Sequence, residues 1–317
     1  MHDTSLRLLI GMTAMPENTS FKNGIQFAWD NTSIGLYKTC PRKYYYSIVC
    51  GYEPRTMTPA LSFGIAIHSI FENWHKQVAS GTDKHTALIS AVRLAGLLGE
   101  RLPAGDTSRT KETLVRTIIW FFDQYWDDKT ITLREPSGKP IVEYHFQLPF
   151  MEYLGNEVFI CGHIDRMVKW QGQVYIADYK TTKYTLDQRF FNQFKPGTQM
   201  PLYLTACHII SNTFADLPSA HGVIIDGIQL GVNFSRFGRG IVPFSLEEIN
   251  EYIIDLKYWI MQAMDACKAN YFPQNTESCQ KYSGCHFQEI CSKSPARRQV
   301  FLDGNYVRRV WNPLIPR

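Results

Sequence analysis

Apolar and polar positions recur with two different periods along this chain, and the change of period divides it. From Phe63 to Val78 the apolar residues Phe63, Ile67, Ile70, Phe71, Trp74 and Val78 return at helical spacing. A second helical pattern runs from Leu114 to Trp126 through Ile118, Phe122 and Tyr125, and Ala104–Asp106 within Leu102–Ser108 reads as a loop between the two. The period then falls to two. Val142, Tyr144, Phe146 and Leu148 alternate with Glu143, His145 and Gln147, which predicts a half-buried strand with the second set turned to solvent. Further strands are predicted over Glu157–Val168 and Gln173–Lys180, on either side of Gln171-Gly172. A helix over Thr198–Ile210 tolerates Pro201 in its first turn, and His221–Leu230 reads as another strand. Ser245 with Glu248 three positions on is a capping box that opens a long helix to about Cys267. Residues 1–30 read as irregular surface chain. Without an internal repeat or low-complexity linker, the simplest organisation is a single α/β domain over 1–317, with a helical insertion at about 80–135.

Composition narrows the class only a little. Hydrophobic residues make up 44% and charged residues 20%, as in ordinary soluble globular proteins. The net charge of +4 is shared by many metabolic enzymes, so it favours a polyanionic partner only weakly. No apolar run approaches the ~20 residues of a membrane span. Leu8-Leu9-Ile10-Gly11-Met12 is too short and poorly flanked for a signal sequence, so a cytoplasmic location is expected. In that setting the eight cysteines would rarely form disulfides, and a group of them points to a metal.

The stretch richest in chemistry is Gly162-His-Ile-Asp165-Arg166 through Ile176-Ala-Asp178-Tyr-Lys180. In a strand Asp178 and Lys180 share a face. A two-residue loop at Gln171-Gly172 sets Trp170 opposite Gln173 and, counted back pair by pair, Asp165 opposite Asp178. Cross-strand partners have Cβ atoms about 5 Å apart, close enough for two carboxylates to bind one Mg²⁺ or Mn²⁺. Such an ion polarises a phosphodiester oxygen and lowers the pKa of a water it holds. Lys180 beside it can orient the attacking nucleophile and offset charge on phosphorus. The plain alternative is a surface hairpin with an Asp178–Lys180 pair, since Asp-x-Lys is a common tripeptide.

These residues, Gly-x-x-Asp-Arg followed by Asp-Tyr-Lys-Thr, resemble motifs II and III of the PD-(D/E)XK nucleases. The likeness is to their RecB/AddB-type branch and to CRISPR-associated adaptation nucleases. The resemblance implies a restriction-endonuclease-like fold, a mixed central sheet flanked by helices with helical additions. It implies that His68, in Phe63-Gly64-Ile-Ala-Ile-His68, joins Asp165 and Asp178 at the metal, with the Tyr179 carbonyl as a further ligand. It also implies that Gln199 and Tyr203, in Gln199-Met-Pro-Leu-Tyr203, share a helix face and organise the scissile strand. A helix-start amide and a core tyrosine are the alternative for that pair.

Cys279, Cys285 and Cys291, spaced by five residues each, stand far from Cys40 in Cys40-Pro-Arg42-Lys-Tyr. Three close cysteines and one remote one resemble the iron–sulfur clasp of the same branch, formed here by about 36–46 with 275–295. Four thiolates complete a [4Fe–4S] cluster, and zinc, held by the four cysteines or with His286 in place of one, is the alternative. Relatives more often space the first two C-terminal cysteines by two residues. Cys161 and Cys207 read as buried, and Cys50 and Cys267 as ends of local elements.

Arg42, Lys43, Lys183 and Lys195 are expected to contact nucleic acid, and Arg236, Arg239 and the basic tail from Lys293 are weaker candidates. No Gly-x-x-x-x-Gly-Lys-Ser/Thr phosphate loop is present, so any processivity would come from the protein's own shape or from a partner such as a helicase or recombination protein. The expectation is a metal-dependent DNA nuclease, an exonuclease acting on ends or single strands in DNA repair or recombination. Its rivals are a non-catalytic DNA-binding or recombination-accessory protein of the same fold, and a cluster-bearing redox protein.

Overall fold

The computed structural model describes residues 20–213, 217–281 and 284–315, so Leu8–Met12 and the last two residues of the basic tail lie outside the described residues. The long elements are α1 (Asn31–Thr39), α2 (Pro59–Ala79), α3 (Lys84–Gly99), α4 (Lys111–Gln124), β1 (Val142–Tyr153), β2 (Asn156–Trp170), β3 (Gln173–Thr182), α5 (Gln199–Thr213), β4 (Gly222–Leu230), β5 (Ser235–Pro243), α6 (Leu246–Ala269) and α7 (Pro295–Asn305). They pack as two compact units interleaved along the sequence: Met57–Phe146 with His163–Tyr252, and Met1–Thr56 with Gln147–Gly162 and Ile253–Arg317.

The first unit is built on a mixed sheet in the order β5-β4-β3-β2. The β2–β3 and β4–β5 pairs are antiparallel, and β3–β4 is parallel. The hairpin turn places Gln171 at φ 48° and Gly172 at φ 83°. Two left-handed residues in succession make the turn whose twist suits flanking strands, and glycine at the second adopts it without strain. A parallel β3–β4 pair needs a crossover, which α5 supplies. All nine residues of β4 are buried, as expected of a strand covered on both faces. On one face α5 packs Cys207 Sγ 4.0 Å from Met167 Sδ. On the other, Ile67, Ile70 and Phe71 of α2 join Leu114, Ile118 and Phe121 of α4 around Tyr179, Ile228 and Leu230.

Two of the long elements of this unit were not predicted individually, although α3 falls inside the helical insertion expected at about 80–135. The inward stripe of α3 is Ala87, Ala91, Ala95 and Gly99, all buried, so its core face consists of the residues least distinguishable from a neutral surface. Small residues one turn apart bring the helix backbone close to its neighbour. A Cβ at Gly99 would meet Lys111 Cγ at 2.7 Å. In β5 the alternation is broken by Gly238 and Gly240, and the Phe191 ring fills the place where a residue-240 Cβ would stand, 2.2 Å away.

In the second unit, Ala28–Trp29 pairs in parallel with Phe159–Ile160 of β2. Residues 20–30 correct the expectation of an irregular surface segment. Phe21–Lys22 and Ile25–Gln26 form a small hairpin through Asn23-Gly24, and Phe27, Ala28 and Trp29 are buried. An Asn-Gly pair is the turn signal that marks it. Asp30 then caps α1 by accepting from Ser33 N at 2.9 Å. Tyr44, buried after α1, stacks on Trp29 at 5.7 Å. Tyr52–Pro54 pairs with Tyr306–Arg308. Among the described residues no helix is long and apolar enough to cross a membrane.

Candidate functional site

The β2–β3 ladder has the register that the two-residue turn requires, from Trp170 opposite Gln173 to Arg166 opposite Ala177. It ends one pair before Asp165 and Asp178. From Ile176 to Thr182, β3 continues its ladder with β4 instead. The hairpin therefore opens where the carboxylates stand, and Asp165 Oδ2 lies 3.5 Å from Tyr179 N, a long hydrogen bond.

His68, on α2, enters this opening. Its Nδ1 is 3.1 Å from Asp165 Oδ2 and its Nε2 is 3.0 Å from the Tyr179 carbonyl oxygen. Both oxygens only accept, so satisfying both requires hydrogen on both ring nitrogens, an imidazolium. Burial opposes that charge, but Asp165 and then Asp178 outweigh it and raise the His68 pKa to about 9. Burial likewise opposes charge on Asp165, and His68 holds its pKa below the usual carboxylate range.

Glu143 completes the group. One donor atom from each of His68, Glu143 and Asp165 lies within 4.8 Å of the other two, a spacing that can hold a metal ion. Glu143 sits in β1 at φ 50°, the left-handed region, which costs a non-glycine residue on the order of 1–3 kcal/mol. The alternation of 142–148 assigned this side chain to solvent. No spacing rule links position 143 to position 165, and the distorted backbone has no sequence signature.

Asp178 is fully buried (0%) next to this group, and Lys180 Nζ lies 2.6 Å from its Oδ2. The ammonium approaches outside hydrogen-bonding alignment, so neither Asp178 oxygen has a hydrogen-bond partner among the described residues. Burial raises the Asp178 pKa to about 6, with Lys180 opposing. Its counter-charge is the Lys180 ammonium, and a second carboxylate, Asp165, stands beside it, so a further cation would relieve the repulsion between the two. A set of carboxylates with one imidazole fits a divalent ion such as Mn²⁺ or Mg²⁺. On α5, Gln199 Nε2 donates to Tyr203 Oη at 2.9 Å, which places the pair on one helix face as expected.

In the second unit the four expected cysteines line one small cavity together with Lys43, Asn275 and Phe287. The segments that carry them meet: Asn275 N donates to Cys40 Sγ at 3.3 Å, Asn275 Nδ2 to the Thr39 carbonyl at 2.9 Å, and Arg42 Nε to the Phe272 carbonyl at 2.8 Å. Burial raises the Cys291 pKa to about 11, and burial followed by the nearby Cys285 and Cys40 raises that of Cys279.

The other expected phosphate contacts are engaged internally. Lys183 pairs with Asp106 at 2.9 Å, and Lys195 pairs with Glu248 at 2.7 Å. Each would have to leave a carboxylate to meet a phosphate. Glu248 also closes the expected capping box, accepting from Ser245 N at 2.8 Å. Arg239 corrects its own expectation, because its guanidinium is spent on Asp226 and Asp128.

A family model described as the PD-(D/E)XK nuclease superfamily matches residues 31–292. No curated protein matches the sequence. Among solved structures, a protein from Eubacterium rectale proposed to be an exonuclease is 10% identical, with 80% of this chain and 86% of that one covered and a TM-score of 0.43. The protein SSO0001 is 11% identical, with 87% and 90% covered and a TM-score of 0.33.

Proposed function

Because this chain belongs to the PD-(D/E)XK nuclease superfamily, we propose that it hydrolyses DNA phosphodiesters with a divalent metal held by His68, Glu143, Asp165 and Asp178. The observation that carries this reading is the His68–Glu143–Asp165 donor group beside the buried Asp178–Lys180 ion pair. The Tyr179 carbonyl, which His68 Nε2 contacts at 3.0 Å, would be a further ligand. When bound, the ion supplies Lewis-acid charge at the scissile phosphate and makes a water acidic enough to act as nucleophile near neutral pH. Lys180, held by Asp178, orients that water in line with the bond to be broken and offsets negative charge at phosphorus. Gln199 and Tyr203 position the scissile strand.

Within the same proposal the enzyme is an exonuclease that acts on ends or single strands, in the cytoplasm, in repair or recombination beside a helicase-like partner. Cys40, Cys279, Cys285 and Cys291 hold a [4Fe–4S] cluster as a structural clasp, a reading supported by the four cysteines lining one cavity. The deciding experiment is incubation with end-labelled single- and double-stranded DNA, with Mg²⁺, with Mn²⁺ and with chelator. Metal-dependent shortening from an end is the expected result. Intact DNA in every condition would leave the non-catalytic DNA-binding alternative.

A further inference from the structure

The sheet face opposite Asp178 and Lys180 carries a second polar assembly within the same unit. Register sets Tyr179, Asp226 and Arg239 side by side across β3, β4 and β5. Arg166 shares their face, since its partner Ala177 precedes Tyr179 by two. These residues, with Trp74 and Trp126, line a cavity of about 360 Å³. That volume falls at the lower end of the roughly 300–1,000 Å³ of small-molecule sites.

The lining is net positive. Arg239 takes both carboxylates, Asp226 at 2.7 and 2.9 Å and Asp128 at 2.9 and 3.0 Å, which leaves one negative charge. Lys84, Arg134 and Arg166 line the same cavity, and none has a carboxylate within ion-pair reach among the described residues. Lys84 donates to the Trp126 carbonyl, and Arg134 to those of Ala79 and Gly138.

Arg166 is the informative member. It is only 4% exposed, yet both of its hydrogen-bond partners are neutral. Its Nη1 donates to His75 Nδ1 at 2.6 Å and its Nη2 to Thr130 Oγ1 at 2.7 Å, while Nε has no partner among the described residues. A guanidinium can only donate, so His75 keeps its hydrogen on Nε2 and gives it to Tyr179 Oη at 2.6 Å. The hydroxyl hydrogen of Tyr179 is then left with no acceptor among the described residues. The cavity thus offers donors and positive charge beside indole rings, a lining that matches an anion carrying a flat ring. We propose that this cavity binds a free mononucleotide, with the phosphate on Arg166, Lys84 and Arg134 and the base against Trp74 and Trp126.

This inference goes beyond the nuclease reading and does not depend on it, because the site needs no metal. The test is calorimetric titration of the full chain in chelator with deoxyadenosine 5′-monophosphate, deoxyadenosine, inorganic phosphate and a 5′-phosphorylated tetranucleotide. Saturable binding of the monophosphate is expected, with deoxyadenosine and phosphate each at least about tenfold weaker. Lys84→Gln and Arg134→Gln, both at the accessible rim, should each weaken it about tenfold, the loss of one charge-assisted contact. Arg166→Gln should abolish it, and the rim variants keep the test valid if that buried substitution fails to fold. Absence of saturable binding overturns the proposal, as does affinity unchanged in the Lys84→Gln/Arg134→Gln double variant. Loss in Asp165→Asn would put the ligand at the carboxylates, and tighter binding of the tetranucleotide would make the occupant a strand end; either result overturns it too.

Discussion

His68 Nδ1 lies 3.1 Å from Asp165 Oδ2, and this contact joins a helix to a strand on which the hairpin ladder has just ended. The same ring holds the Tyr179 carbonyl. One positive charge already stands between two oxygens expected to ligate a metal.

A divalent ion that takes those oxygens and the imidazole must displace a proton. Mn²⁺ titration in weak buffer should therefore release about one proton per ion, and affinity should rise with pH towards about 9, where the imidazolium titrates unaided. His68→Ala should bind more weakly and release none. An unchanged proton yield in that variant would remove His68 from the site. With an imidazole in the set, Mn²⁺ should support faster cleavage than Mg²⁺.

Lys180→Ala and Glu143→Gln separate chemistry from ligation. Lys180→Ala should retain Mn²⁺ binding and lower cleavage by about 10²–10³-fold, the scale of one lost electrostatic contact in a transition state. Glu143→Gln and Asp165→Asn should instead weaken Mn²⁺ itself. Paired calorimetry and end-label assays on the same preparations distinguish the two classes. Wild-type cleavage by Lys180→Ala would remove it from the mechanism.

Cys279→Ala, Cys285→Ala and Cys40→Ala should behave alike, giving colourless protein that is easily proteolysed. Cys161→Ala should stay brown and active, because Cys161 is buried in β2, away from the cysteine cavity. A clasp joining positions so distant in sequence restricts the unfolded chain by about 5 kcal/mol at most, by analogy with a disulfide. Iron and sulfide analysis of anaerobically purified protein checks the ligand. Stoichiometric zinc without iron would reject the cluster and leave the nuclease assignment standing.

Asp128 gives an acid-stability prediction. Burial opposes its charge, but its paired hydrogen bonds with Arg239 lower its pKa to about 2. A carboxylate depressed on folding stabilises above its unfolded pKa, near 3.8, and that stability is lost as pH falls towards 2. Asp128→Asn should therefore cost about 2 kcal/mol at neutral pH, and the difference should close between roughly pH 4 and 2. Urea melts of both proteins at stepped pH measure it. A gap that persists at pH 2 would show that the loss is not electrostatic.

Periodicity and turn chemistry were enough to place the β2–β3 hairpin and its register, because the Gln171-Gly172 turn counts pairs outward. They also placed α2, α4, α5 and the Ser245–Glu248 cap, whose signals are local. The helix α3 escaped because alanine and glycine line its buried side, and β5 because aromatic rings replace the side chains its glycines lack.

The sequence by itself marked candidates for the chemistry: two carboxylates and a lysine on paired strands, four cysteines at the ends of a long loop and, through the family resemblance, a histidine on the preceding helix. Only the tertiary structure decided that the hairpin opens at Asp165, that Glu143 turns inward at a left-handed backbone angle to join His68, and that Arg239 is consumed by Asp226 and Asp128. Local patterns report period and turn, which are properties of neighbours in sequence. A ladder that separates, a strained backbone angle and a buried ion pair depend on what packs against them from elsewhere in the chain.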